Sequence, residues 1–128
     1  MENEKEYLNE AHANDMEWRK AMEFYKNEVA YMRKKLEEVN AANTNKEFKM
    51  LVSHFENHFL IQHEIIDEIK HAINVREDYI ARRMKANPEG YEYRVIRLHS
   101  ELKGKIEVFE KLFGELKKSF DRFLSERL

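Results

Sequence analysis

The chain has 128 residues, no cysteine, and 23 basic against 25 acidic residues, which gives a net charge of −2. This length fits one domain around one core, and the missing cysteines exclude disulfides, thiolate metal sites and thiol nucleophiles. The interleaved charge signs argue against nucleic acid as a partner, and no apolar run approaches the roughly 18 to 20 residues that span a membrane.

Apolar residues in the first third of the chain recur alternately three and four residues apart, which is typical of a helix packed along one face against other helices. This spacing predicts helix 1 over about residues 3–40. The seam is apolar except at Asp15, so helix 1 should be buried against partners along its whole length. Its members are Leu8, Ala11, Asp15, Trp18, Met22, Tyr25, Val29, Met32, Leu36 and Val39.

An asparagine-rich turn at residues 40–45 separates helix 1 from helix 2, which is predicted over about residues 45–86. Thr44 and Glu47 form a predicted capping box at its start. Two adjoining apolar strips indicate that helix 2 contacts both other helices. One strip is Phe48, Leu51, Phe55, His58, Gln62, Ile65, Ile69, Ala72, Arg76 and Tyr79, and the other is Val52, Phe59, Ile66, Ile73 and Ile80.

The second turn signal is the segment from Asn87 to Gly90, in which Pro88 suits the first turn of a helix. Helix 3 is predicted over about residues 88–127, and it also carries two apolar strips, interrupted by Lys105 and Ser119. These strips are Val95, Leu98, Leu102, Phe109, Leu112, Leu116 and Phe123, and beside them Ile106, Phe113 and Phe120.

Together these elements predict an all-α fold: an elongated antiparallel three-helix up-down-up bundle with heptad, coiled-coil-like packing, in one domain over residues 1–128. The N-terminal residues have neither the basic start nor the apolar stretch of a signal peptide. We therefore expect the protein to be cytoplasmic.

Polar residues within the seams fall at two levels when the helices are paired antiparallel about the two turns. Asp15 should lie near Arg76, and Arg76 near His99 and Glu101, which predicts a buried ionic layer. The second, mostly neutral layer consists of Tyr25, Glu28, His58, Gln62 and Ser119. We interpret both layers as structural, because polar seam positions fix the register of packed helices.

Helix 2 also carries histidines at the spacing of metal ligands, with His54 and His58 four residues apart. This histidine-rich stretch resembles the helices of haemerythrin-type oxygen-binding bundles, and the resemblance implies a metal site. Those bundles draw ligands from four helices, whereas this chain predicts three. The histidine spacing leaves one alternative function, a metal- or cofactor-binding bundle that uses His54, His58 and Glu28. Another alternative is a small-ligand sensor around Tyr25, His58 and Gln62.

The preferred function follows from an aromatic stripe, Phe24 and Tyr31, which lie seven residues apart on helix 1 and away from its seam. Aligned exposed aromatic residues suggest a contact surface. Trp18 within a three-helix pattern also resembles a spectrin-type repeat. No phosphate-binding loop, zinc-protease or serine-hydrolase motif is present, so an enzyme is not favoured. We expect an interaction or scaffold protein that forms a homo-oligomer, such as a dimer, or binds another protein, without a cofactor.

Overall fold

The computed structural model describes the backbone of residues 2–85 and 92–127, and the side chains in these ranges except those of residues 2–5, 84 and 92–96. Three helices occupy these ranges: α1 (Glu2–Ala41), α2 (Lys46–Lys85) and α3 (Glu92–Arg127). The predicted all-α three-helix bundle is confirmed. The turn from Asn87 to Gly90, with Pro88, and the side chain of Val95 lie outside the described residues.

The N-terminus of α2 is capped by a residue one position later than the sequence predicts. Helix α2 begins at Lys46, and Asn45 Oδ1 accepts a hydrogen bond from the backbone N–H of Phe48 at 3.2 Å. Asn45 is therefore the N-cap, whereas the predicted cap was Thr44. Asn43 stabilises this turn, because its Oδ1 accepts a hydrogen bond from the backbone N–H of Asn45 at 2.9 Å.

Contacts between side chains give the directions of the helices. As residue numbers rise along α1, the numbers of the contacting residues on α2 fall, and the same holds between α2 and α3. Between α1 and α3 the numbers rise together, so the helices alternate up, down and up. The contacts that establish these directions are Asp15 with Arg76, Glu23 with Lys70, Phe55 with Phe120, Glu68 with Lys105, Trp18 with His99, and Tyr25 with Phe109.

The core lies along the axis shared by the three helices and is rich in phenylalanine between α2 and α3. Phe59 and Phe120 are almost wholly buried, and their ring centroids lie 5.1 Å apart. Two predicted seam residues, Leu51 and Leu112, are instead exposed. They lie on the side of α2 and α3 that faces away from α1, where no third helix covers them.

None of the helices within residues 2–85 and 92–127 is long and apolar enough to cross a bilayer.

Candidate functional site

A buried ion pair joins α1 to α2 between Asp15 and Arg76, which expose 0% and 1% of their surfaces. The Nε atom of Arg76 lies 3.1 Å from both carboxylate oxygens of Asp15, and its Nη2 donates a hydrogen bond to the backbone carbonyl of Ala11 at 3.0 Å. The structure thus brings together the two residues that the sequence predicts to face each other. One guanidinium ties a side chain and a carbonyl of α1 to α2.

Two further titratable groups, Glu77 and His12, extend this ionic cluster toward the surface. Glu77 Oε1 contacts His12 Nδ1 across the interface of α1 and α2. Glu77 Oε2 and Arg76 Nη1 are both buried and have no hydrogen-bond partner among the described residues. A cleft of about 420 Å³ lies beside Glu77 and His12. The cluster therefore contains two carboxyl groups for one buried guanidinium.

Aromatic contacts extend the ionic cluster to α3. The guanidinium carbon of Arg76 lies 5.4 Å from the ring centroid of Trp18, and Trp18 lies 5.1 Å from His99. Burial lowers the pKa of His99, and the nearby charges of Arg76 and Lys103 lower it further. His99 thus lies at the edge of the cluster and favours its neutral form.

Glu101 does not reach Arg76, in contrast to the predicted ionic layer. Its carboxylate is exposed and lies 3.9 Å from Arg97, one turn earlier on α3. Besides Asp15, Arg76 donates a hydrogen bond to the backbone carbonyl of Ala11 on α1.

Burial raises the pKa of Asp15 from its ordinary value of 3.8 to about 7. The positive charge of Arg76 opposes this rise, and Glu77 adds to it. In the unfolded chain Asp15 ionises near pH 4, whereas in the folded protein it keeps its proton to about pH 7. Between these pH values the folded state binds more protons than the unfolded state. The contribution of Asp15 to the free energy of unfolding therefore falls as the pH rises from about 4 to about 7, and is flat above that.

We expect this pH dependence to appear as a difference between the native protein and Asp15→Asn, which cannot ionise. The free energy of unfolding of the native protein minus that of Asp15→Asn should fall between pH 4 and 7 in urea titrations. The contributions of His99 and of other groups common to both proteins largely cancel in this difference. A difference that stayed constant, or rose with pH, would contradict the raised pKa of Asp15.

The predicted neutral layer divides between two sides of the bundle. The Tyr25 hydroxyl donates a hydrogen bond to Glu110 Oε2 at 2.7 Å, and burial together with this bond raises the pKa of Tyr25 to about 12. Glu28 pairs with Lys117 at 3.3 Å. Both contacts join α1 to α3. Tyr25 and Glu28 therefore lie on a different side of the bundle from the other predicted members of the layer.

The remaining members of that layer, His58, Gln62 and Ser119, line a groove between α2 and α3. The groove encloses about 360 Å³ on the side of these helices that faces away from α1. His54 lies beside His58, with ring centroids 4.4 Å apart. Gln62 is buried, and its Oε1 has no hydrogen-bond partner among the described residues. We call this surface the α2–α3 groove; its lining is His54, His58, Ile61, Gln62, Ile65, Leu112, Glu115, Leu116 and Ser119.

The alternative metal set is not assembled in this structure. His54 and His58 are neighbours, but Glu28 is engaged by Lys117 on α3 and does not line the groove. Across the described side chains, no group of three or more histidine, aspartate or glutamate residues has an arrangement that could hold a metal ion. The sequence spacing gives these residues similar heights, but in the structure Glu28 lies on a different side of the bundle from His54 and His58.

The aromatic stripe lies on the surface, as its position off the seam predicts. Phe24 is 56% exposed and Tyr31 is 59% exposed. The Phe24 ring contacts the edge of Tyr25, and Lys35 Nζ lies 5.7 Å from the ring centroid of Tyr31. Most of both rings is therefore available to a partner.

Sequence reasoning missed Glu77 and Glu110, which complete the contacts of Asp15 and Tyr25. A usable signal exists for Glu77, because it lies seven residues after Lys70, which reaches α1 at Glu23. Residues seven apart share a helix face, so Glu77 should also reach α1.

No protein-family model, curated protein or solved structure matches this chain.

Proposed function

We propose that this chain is a small helical interaction protein that acts by self-association. The observation that supports the proposal is the number of large hydrophobic side chains that the three helices leave uncovered. Nine of them in the described part of the chain are at least 39% exposed. Single exposed apolar residues are ordinary, but aligned ones favour a contact with another protein.

Two surfaces carry most of these side chains. One is the stripe of Phe24 and Tyr31 on the outer face of α1, and the other is the α2–α3 groove with its flanking residues. They lie on opposite sides of the bundle. Among the described residues, no group of three or more potential ligands is arranged to hold a metal ion.

The proposal predicts that the native chain has more than its monomer mass of 15.6 kDa in solution. Absolute mass from light scattering, measured over a wide range of concentrations, should be about twice this value and should fall on dilution. Sedimentation velocity on the same samples provides an independent check. A mass of one chain at every concentration would contradict self-association.

A further inference from the structure

The α2–α3 groove is an apolar surface that the bundle leaves open. Five of the nine exposed large hydrophobic side chains lie on it or on the same helical strips beside it. On α2, Ile61 and Val75 belong to a strip with a seven-residue repeat that includes His54, and on α3 Val108 belongs to the strip of Glu115. The five residues are Leu51, Ile61, Val75, Val108 and Leu112.

A buried acceptor lies in the same surface. Gln62 is 4% exposed, and its Oε1 accepts no hydrogen bond from the described residues. A buried polar atom left unpaired destabilises the folded state, because it has lost its hydrogen bond to water without gaining another. A molecule that covers the groove and brings a donor or a bound water would remove this cost, so Gln62 favours an occupied groove.

The size of this surface matches what a stable protein dimer needs. From Leu51 to Val75 the groove side of α2 extends about 36 Å, at about 1.5 Å per residue. Two adjacent helices present a strip about 20 Å wide, so the surface is about 700 Å² on each copy, close to the roughly 800 Å² per partner of standard interfaces.

Charges at the two edges of the groove are unequal. Among the described charged residues on the groove side, four acids outnumber two cations on α2, whereas five cations outnumber three acids on α3. The α2 residues are Glu47, Glu64, Glu68 and Asp78 with Arg82 and Lys85, and the α3 residues are Arg97, Lys105, Lys111, Lys118 and Arg122 with Glu101, Glu115 and Glu126. A second copy can therefore place its more basic edge against the acidic edge of the first.

From these observations we propose that the α2–α3 groove docks a second copy of this chain, with α2 of each copy against α3 of the other. The proposal rests on the proposed self-association and assigns it to the groove, with the α1 stripe left exposed on the outside. A two-fold axis parallel to the helices produces this arrangement and completes a four-helix core. An axis perpendicular to the helices would instead place α2 against α2, so that two edges with an excess of acidic residues would face each other.

This symmetry predicts a specific ion pair between copies. A parallel two-fold axis keeps heights along the bundle, so residues of α2 face residues of the second copy's α3 that lie at their own level. Within one copy, Phe55 of α2 is level with Phe120 of α3, and Glu68 is level with Lys105. Counting residues between these two levels places Glu64 level with Lys111, and therefore with Lys111 of the second copy. Neither Glu64 nor Lys111 has an ion-pair partner among the described residues of its own chain.

The first test compares three variants of the full chain by light scattering, with circular dichroism to verify folding. Ile61→Glu with Leu112→Glu should reduce the mass to that of one chain at concentrations where the native protein is a dimer. Both side chains are more than 40% exposed, so the variant should keep its helical content. Phe24→Glu with Tyr31→Glu, a matched double change on the stripe, and Leu60→Glu, on an exposed residue elsewhere on α2, should both remain dimers.

The second test uses charge reversal at the predicted pair. Glu64→Lys alone, and Lys111→Glu alone, should each raise the dimer dissociation constant about tenfold, because like charges then face each other. The double variant restores opposite charges and should return to within about threefold of the native constant.

The outcomes separate the two proposals. A native chain that is monomeric overturns both. A native dimer that survives Ile61→Glu with Leu112→Glu, or dissociates only when Phe24 and Tyr31 are changed, overturns the groove but not self-association. If the groove variant is monomeric but the double charge variant, Glu64→Lys with Lys111→Glu, dimerises no better than the single charge variants, the groove stands and the pairing of α2 with α3 is overturned.

Discussion

Replacing Arg76 with methionine is expected to lower the free energy of unfolding by about 3–5 kcal/mol above pH 7. Arg76 and Asp15 are almost wholly buried, and removal of the guanidinium leaves the carboxylate of Asp15 and the carbonyl of Ala11 without their donor. Above pH 7 Asp15 is ionised in the folded native protein, so losing the positive charge that stabilises this carboxylate and lowers its pKa costs most there. Urea unfolding followed by circular dichroism measures the loss.

Two controls separate loss of the ion pair from loss of packing. Lys117→Met breaks the exposed pair with Glu28 and should cost no more than about 1 kcal/mol. The double variant Asp15→Leu with Arg76→Met removes both buried charges and should recover most of the stability that Arg76→Met loses, because apolar pairs replace buried ion pairs at little cost. If the double variant were as unstable as Arg76→Met, packing of the arginine stem would account for the loss instead.

The pairing of Asp15 with Arg76 was predictable because it depends only on heptad spacing and on the positions of two turns. The rest of the ionic cluster was not. Glu77 lies off the predicted seam, and the carbonyl of Ala11 is a backbone group that no side-chain pattern reveals. Glu101 was misplaced because counting residues from the turns predicts its height along the bundle but not the direction of its side chain around α3.

The same limit explains the divided neutral layer and the groove. Heights along antiparallel helices follow from counting residues, so Tyr25, His58 and Ser119 were placed at similar levels. Which side of the bundle each one faces depends on how the third helix is seated. Because α1 covers only one side of the pair formed by α2 and α3, two apparent seam residues, Leu51 and Leu112, are exposed, and the groove appears only in three dimensions.

Replacing Phe59 with alanine is expected to cost about 3–5 kcal/mol of unfolding free energy. The ring is fully buried, with its centroid 6.2 Å from that of Phe55 and 5.1 Å from that of Phe120. Loss of the ring removes buried apolar area and leaves a cavity between α2 and α3, since the two remaining rings are held by their own contacts with Phe123. Thermal and urea unfolding measure the change.

Phe24→Ala is the matched control, because it makes the same chemical change on a ring that is 56% exposed. It should alter the free energy of unfolding by no more than about 0.5 kcal/mol. Equal losses for the two variants would contradict the assignment of Phe59 to the core and of Phe24 to the surface. A large loss for Phe59 alone would show that edge-to-face phenylalanine contacts hold α3 against α2. These contacts fix both walls of the groove to which we assign self-association.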